Sequence, residues 1–214
     1  MKVVYKSKEV LNLKEKELEK YLKQTSWYHG TTLGSWLEIE KEGIKVDHNL
    51  GNKLDFGYGF YLAPKYRQAE SYIMRNIPYM SLSETDILNK PVVIEFELCL
   101  NDILSDYSYK VFLHRDDQFA EFVIMNRLNL DLKNHNYDFV IGVMTDSNPI
   151  DLIMKYQLKE IELDDVKEGL LKWNSMEQLS LHNQSICDKI KVKKVTLVDE
   201  GKEFEINGIE FRKI

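Results

Sequence analysis

The sequence predicts a mixed α+β fold, and three observations lead there. Segments such as PVVIEFELCL (91–100) and YDFVIGVM (137–144) alternate or run apolar as strands do. Others, such as RDDQFAEFVIMNRL (115–128), place apolar residues at helical spacing. The two kinds are interspersed without a regular βαβ repeat, so a doubly wound parallel sheet is not expected.

Residues 7–24 read as a charged amphipathic helix with Leu11, Leu18, Tyr21 and Leu22 on one face. WYHGTT (27–32) reads as a short strand and turn, and GSWLEIEKEG (34–43) as a helix stopped by Gly43. Residues 45–55 lack periodicity and read as a loop. DFGYGFYLAP (55–64) reads as a strand ending at Pro64, which opens a helix whose Tyr66, Ala69 and Ile73 share a face. Asp116 or Asp117 opens the helix carrying Phe119, Phe122, Val123 and Met125. SNPIDLIMKYQL (147–158) and LDDVKEGLLKW (163–173) read as helices. The tail from residue 191 reads as strands around an Asp-Glu-Gly turn and a second turn at Asn207-Gly208. The expected organisation is a peripheral N-terminal helix over 1–25 and one domain over 26–214.

With 214 residues, 43% of them hydrophobic and 30% charged, the chain is long enough for a proper core. The net charge of −6 argues against a broad phosphate-tracking surface. Two cysteines, Cys99 and Cys187, make no disulfide or metal framework. There is no apolar signal core and no run approaching about 18 apolar residues, so the expectation is a cytoplasmic protein. An effector exported by a signal-free route would look the same.

Several chemistries fail on spacing. DFG at 55–57 precedes HRD at 114–116, the reverse of the kinase order, and the lysine strand is missing. His29, His48, His114, His135 and His182 fall in no metal-binding spacing, and no metal is expected. GYG lacks the third glycine of a dinucleotide fingerprint. What remains is His29, followed by Gly30, Thr31 and Thr32 at the end of an aromatic strand. Such a turn can offer both an amide hydrogen and a carbonyl to a ligand. Some thirty residues on, Gly57 and Gly59 open the backbone again among Phe56, Tyr58, Phe60 and Tyr61. The pair suggests a cleft for a flat ring bearing a carboxamide and a ribose.

YHGTT, IEKEGIKV and DFGYGFYLAPKYRQAESY together resemble the nicotinamide-binding half of the ADP-ribosyltransferases, in the diphtheria-toxin and poly(ADP-ribose) polymerase-like branch. The chain also resembles, over nearly its whole length, a bacterial family of uncharacterised, transferase-like domains. Its shared motifs here are Tyr-His-Gly, Asp-Phe-Gly-x-Gly-Phe-Tyr, FVIMNR (122–127), YDFVIG (137–142) and EQLSLHNQ (177–184). The resemblance implies a split, mainly antiparallel β-sandwich with surrounding helices, and NAD as co-substrate. It implies that His29 holds a ribose hydroxyl, that Gly30 and Thr31 grip the carboxamide end, and that Tyr61 and Tyr72 stack on the nicotinamide. Aromatic stacking of this kind is worth about 1–3 kcal/mol.

The chain departs from the polymerase-like pattern at the third catalytic position, where the branch has a glutamate. Gln178 falls there with Glu177 beside it, and strand alternation would point the two apart. If Gln178 is the one that faces the cleft, Gln178→Glu is expected to preserve or raise NAD hydrolysis by restoring a charge. The functions implied are mono-ADP-ribosyl transfer to a protein or nucleic acid, as a bacterial toxin or effector, NAD hydrolysis, or NAD and ADP-ribose binding without turnover. A neutralising antitoxin or immunity protein is the implied partner of a toxin. Asn126 and Arg127 read either as a cap and ion pair at the helix end or as phosphate or substrate contacts. Asp55, Asp138 and Asp146 read as turn or capping residues.

Overall fold

The computed structural model describes residues 18–49, 54–80, 87–128, 135–145, 149–171, 176–199 and 202–205. The N-terminal part of the first expected helix, Asp146, the tip of the Asp-Glu-Gly turn and the Asn207-Gly208 turn lie outside them.

The expected α+β fold is observed, built on two four-stranded sheets. One sheet has the order β1 (Ser26–Thr32), β3 (Pro91–Glu97), β7 (Lys191–Asp199), β8 (Lys202–Glu205), and each neighbouring pair is antiparallel. The other has the order β2 (Phe60–Leu62), β6 (Glu177–Leu181), β5 (Phe139–Val143), β4 (Tyr109–Phe112), antiparallel except for the β4–β5 pair. The strand β4 has no counterpart in the sequence reading; four residues at a sheet edge carry too short an alternation to register.

Alternation along the strands sends one face of each sheet into a shared core. Trp27, Val92, Ile94 and Phe96 from the first sheet meet Phe60, Leu62, Ile141, Leu179 and Leu181 from the second. The Phe60 and Phe96 rings lie edge to face at 5.5 Å. A second core joins the outer face of the second sheet to α4 (Asp117–Leu128), α5 (Ile150–Gln157) and α6 (Leu163–Leu170) around Phe56, Phe112, Phe119 and Val140.

Local signals explain the helix ends. Thr32 caps α2 (Leu33–Glu42), accepting from Ser35 N at 3.2 Å, and Gly43 ends it with φ of +79°. Asp116 accepts from Phe119 N at 3.0 Å and starts α4. The helix α3 (Tyr66–Met80) packs Ala69 and Ile73 inward. The first helix, α1, is helical over 18–22 and is less peripheral than its charge suggests. Tyr21 is buried and stacks on Trp27 at 6.5 Å.

The expected strand over 55–64 is mostly not a strand. Only Phe60–Leu62 form a strand, with Ala63 making a single bridge to β1; residues 55–59 form a turn, and Phe56 is a fully buried core residue. Gly57 has φ of +80°, which no β-branched or bulky side chain adopts cheaply.

Candidate active site

The end of β1 forms a backbone edge outside the β1–β3 pairing, with Gly30 itself buried beneath α3. The strand is the outermost of its sheet, and Tyr28 turns away from β3 to exchange two hydrogen bonds with Ala63, of 2.9 and 2.7 Å. Antiparallel pairing alternates such groups along a strand. Gly30, two residues on, therefore also directs its N–H and C=O away from β3, beyond the last residue that Ala63 can cover. A Cβ at Gly30 would stand 2.3 Å from Ala69 O and 3.2 Å from Ile73 Cβ, so the glycine is also what lets α3 lie directly on the strand.

His29 points to the opposite face, its ring 4.6 Å from that of Phe60. Its Nδ1 is 2.8 Å from Tyr61 O, and a carbonyl can only accept, so Nδ1 carries the hydrogen. Burial pulls the imidazole pKa below the ordinary histidine range, with the Tyr61 hydrogen bond opposing it only partly. A neutral ring with Nδ1–H leaves Nε2 as an acceptor.

Tyr61 lies on the outer face of the second sheet, paired with Ser180. The glycine turn wraps its hydroxyl, which donates to Gly57 O at 2.6 Å and accepts from Phe56 N at 3.1 Å. Burial pushes this hydroxyl above the ordinary phenol range. Gly59 is demanded by packing, since a Cβ there would stand 2.7 Å from both Leu181 O and His182 Nδ1. The glycines therefore fit the loop around Tyr61 and against β6. Tyr72, on α3, is 47% exposed, and no ring contact joins it to Tyr61. Four residues earlier on the same helix face, Gln68 donates to Glu177 O at 2.6 Å, which brings that face of α3 to the start of β6.

Alternation separates Glu177 from Gln178 as expected. Glu177 turns outward to Lys20 of α1, at 3.0 Å. Gln178 is 7% exposed and turns inward, its Nε2 3.4 Å from Asp55 Oδ2. Continuing the β2–β6 register by one position sets Ala63 opposite Gln178, so β1, β2 and β6 meet at this corner.

Asp55 is the residue that sequence reasoning undervalued. It is a buried hub rather than a loop cap. Its carboxylate accepts from Arg127 Nε at 2.9 Å, from Arg127 Nη2, from Thr145 N and Thr145 Oγ1 at 3.0 Å each, and from Gln178. Asp55, Thr145 and Gln178 are far apart in sequence, and no local pattern links them. Arg127 and Asn126 are both buried, with Arg127 committed to Asp55 and Asn126 Nδ2 donating to Phe122 O at 2.8 Å. Neither presents its polar group at the surface. Asn126 Oδ1 has no hydrogen-bond partner and lies 3.0 Å from where a Gly57 Cβ would be.

The remaining candidates have structural work. Thr31 pairs with Val92 at the end of β1. Asp138 accepts from Ser108 N and Asn183 Nδ2, each at 2.8 Å, tying β4 and β6 to β5. His182 Nδ1 holds Tyr58 O at 2.6 Å and its Nε2 meets Ser180 Oγ at 2.9 Å, while His135 Nε2 holds Phe56 O at 3.0 Å. These two histidines brace the glycine turn through its carbonyls. Burial pushes the Cys187 thiol up to about 12. Among the described residues, no group of three or more His, Cys, Asp and Glu side chains is placed to hold a metal ion, and no helix is long and apolar enough to cross a membrane.

No curated protein matches the chain. A family model does: residues 26–192, which run from the first residue of β1 into β7 and contain every part of this corner, match DUF3990, a protein family of unknown function, and the chain belongs to that family.

Proposed function

We propose that this protein is an NAD-dependent mono-ADP-ribosyltransferase acting on a macromolecular acceptor, with an ADP-ribosyltransferase-like fold, as a bacterial toxin or effector. The observation that carries the reading is the pairing of His29 with Gly30. A carboxamide needs one acceptor and one donor, and the unpaired Gly30 edge offers both from adjacent backbone groups. A ribose hydroxyl needs an acceptor, and neutral His29 has Nε2 for it. Tyr61 and Tyr72 supply flat surfaces for the nicotinamide, with Tyr61 held by its hydroxyl and Tyr72 exposed on α3.

In this reaction the C1′–N1 bond of the nicotinamide ribose breaks and its electron pair leaves on nicotinamide. Positive charge develops on C1′ and the ring oxygen. The acceptor's nucleophilic atom then bonds C1′ and loses its proton to solvent, because neither an amide nor a carboxylate already saturated with donors can take it. Gln178 would accept from a ribose hydroxyl and so bind the charged state without supplying a formal charge. With no unpaired carboxylate beside Gln178 among the described residues, the reading favours a slow enzyme, and NAD hydrolysis or NAD binding without turnover is the alternative reading.

The test is incubation of purified protein with labelled NAD and cell lysate, followed by separation into protein, RNA and DNA. Label in one fraction, with nicotinamide released, supports transfer. Nicotinamide release without label supports hydrolysis. Binding without release supports the non-catalytic alternative, and absence of NAD binding by calorimetry overturns the proposal.

A further inference from the structure

We infer that Asp55 is a positioning residue for Gln178: its carboxylate holds the amide nitrogen, so that the amide oxygen is the end presented to the ribose hydroxyl. The inference rests on the NAD reading and assigns the polarity of its third site residue.

Two observations carry it. Five donors converge on the Asp55 carboxylate: two from Arg127, two from Thr145 and Gln178 Nε2. Turning the Gln178 amide round would set its oxygen against Oδ2, two acceptors with no hydrogen between them. The carboxylate therefore decides which way the amide faces. Gln178 Oε1, by contrast, takes no hydrogen bond from any described residue, yet is not among the sealed, unpartnered side-chain atoms as Asn126 Oδ1 is. It is the open end of a side chain whose other end is fixed.

Arg127 balances the Asp55 charge, and both side chains are at least nine-tenths buried. The ion pair thus acts as a fixed frame, with Thr145 anchoring it to the chain just after β5. Gln178, opposite Gly142 in the register, is the member of the network that reaches β6 and the corner with Ala63. An amide in this frame accepts a hydroxyl hydrogen but abstracts no proton, which matches the chemistry proposed above.

The same contact revises the expectation for Gln178→Glu. A second carboxylate 3.4 Å from Asp55 cannot restore a free charge, because two such groups at this separation share one proton. In its protonated form the new side chain would donate to Asp55 and present a carbonyl to the ribose, as the native amide does.

The experiment compares nicotinamide release and NAD affinity in Asp55→Asn, Gln178→Glu and the double swap Asp55→Asn/Gln178→Glu, from pH 5 to pH 8. Asp55→Asn is expected to lower kcat by about tenfold or more with a smaller change in KM, since the amide is freed to turn. Gln178→Glu is expected to be impaired at pH 8 and to recover towards pH 5. The double swap restores one donor facing one carboxylate but leaves the Arg127 and Thr145 donors less well matched, and is expected to exceed both single variants at neutral pH while staying below the wild type. A swap no better than the worse single variant overturns the inference, because a purely structural Asp55 could not be rescued from position 178. A Gln178→Glu pH profile parallel to the wild type overturns it as well.

The melting temperature of Gln178→Glu gives a readout independent of NAD and of whether Asp55→Asn folds. Above the ordinary glutamate pKa of about 4.3, the folded variant keeps a proton that the unfolded chain releases, so its stability must fall as pH rises. A Tm that follows the wild type across this range shows that the two side chains do not meet, and overturns the inference directly. If that Tm falls as expected but the wild type neither binds nor cleaves NAD, the contact stands while the NAD reading, and the catalytic use of the contact, are overturned.

Discussion

At the β1 edge, Gly30 leaves a donor and an acceptor unpaired beside a histidine with one nitrogen free to accept. Around Asp55, a few strands away, five donors close on one carboxylate. Unpaired polar groups cost stability unless water or a ligand satisfies them, and the cost is greatest where they are buried, as Gly30 is beneath α3. A buried carboxylate survives only if the protein satisfies it completely. The second region holds still, and Gln178 is fixed in it by its amide nitrogen while its amide oxygen takes no hydrogen bond from a described residue.

The largest expected effect comes from breaking the holding region. Asp55→Ala leaves the Arg127 charge buried without its partner, which costs about 3–5 kcal/mol. Urea denaturation should show that as a lower midpoint; a midpoint within error of wild type would mean that the pair is not buried as described.

Gly30→Ala follows, at about 1–3 kcal/mol, because its methyl group must displace the Ala69 backbone. The shift of α3 should also weaken NAD binding. Loss of stability with unchanged NAD affinity would reduce Gly30 to a packing residue and remove the receiving edge.

Tyr61→Ala should weaken NAD or nicotinamide binding about tenfold or more, the value of one lost stacking contact. Unchanged affinity in calorimetric titration of folded protein would show that the loop around its hydroxyl, not the ring, is what the glycines serve.

For His29 the pH sign follows from its lowered pKa. The folded state refuses a proton that the unfolded chain binds near pH 6.5, so this contribution to stability is present above that range and is lost as pH falls below it. The kcat/KM attributable to His29 should accordingly be flat from pH 7 to pH 8 and decline only on the acid side. His29→Ala should lower turnover and affinity together and, if acid protonation of His29 is the cause, remove that decline.

The smallest effect is reserved for Glu177. Its ion pair with Lys20 is half exposed on the lysine side, so Glu177→Ala should leave Tm and nicotinamide release close to wild type. Strong loss of activity would exchange the roles of the two neighbours on β6.

What could be read from the sequence was set by short-range rules. The Gly43 stop, the helix opened at Asp116, the strand around His29 and the opposite facing of Glu177 and Gln178 each depend on a few neighbouring residues, and each is observed. The stretch 55–59 failed that test because its aromatics imitate a strand, while their actual partners come from α4, β6 and His135. The Asp55 network failed it more completely. Its members lie 72, 90 and 123 residues from Asp55, and nothing local to any of them announces the others.

The Tyr28–Ala63 bridge also makes a clock of this corner. Two backbone amides, those of Tyr28 and Ala63, fasten the edge of one sheet to the chain leaving the other, and they can exchange with deuterium only when that join parts. The Gly30 amide, one step beyond the join, has no such hydrogen bond and, although Gly30 is buried beneath α3, should exchange faster than those two in the unliganded protein. A bound carboxamide would slow Gly30 alone, whereas a ligand that clamps the two sheets would slow all three. The ratio of these rates would therefore time the opening of the corner and register its occupancy, residue by residue, without any turnover having to occur.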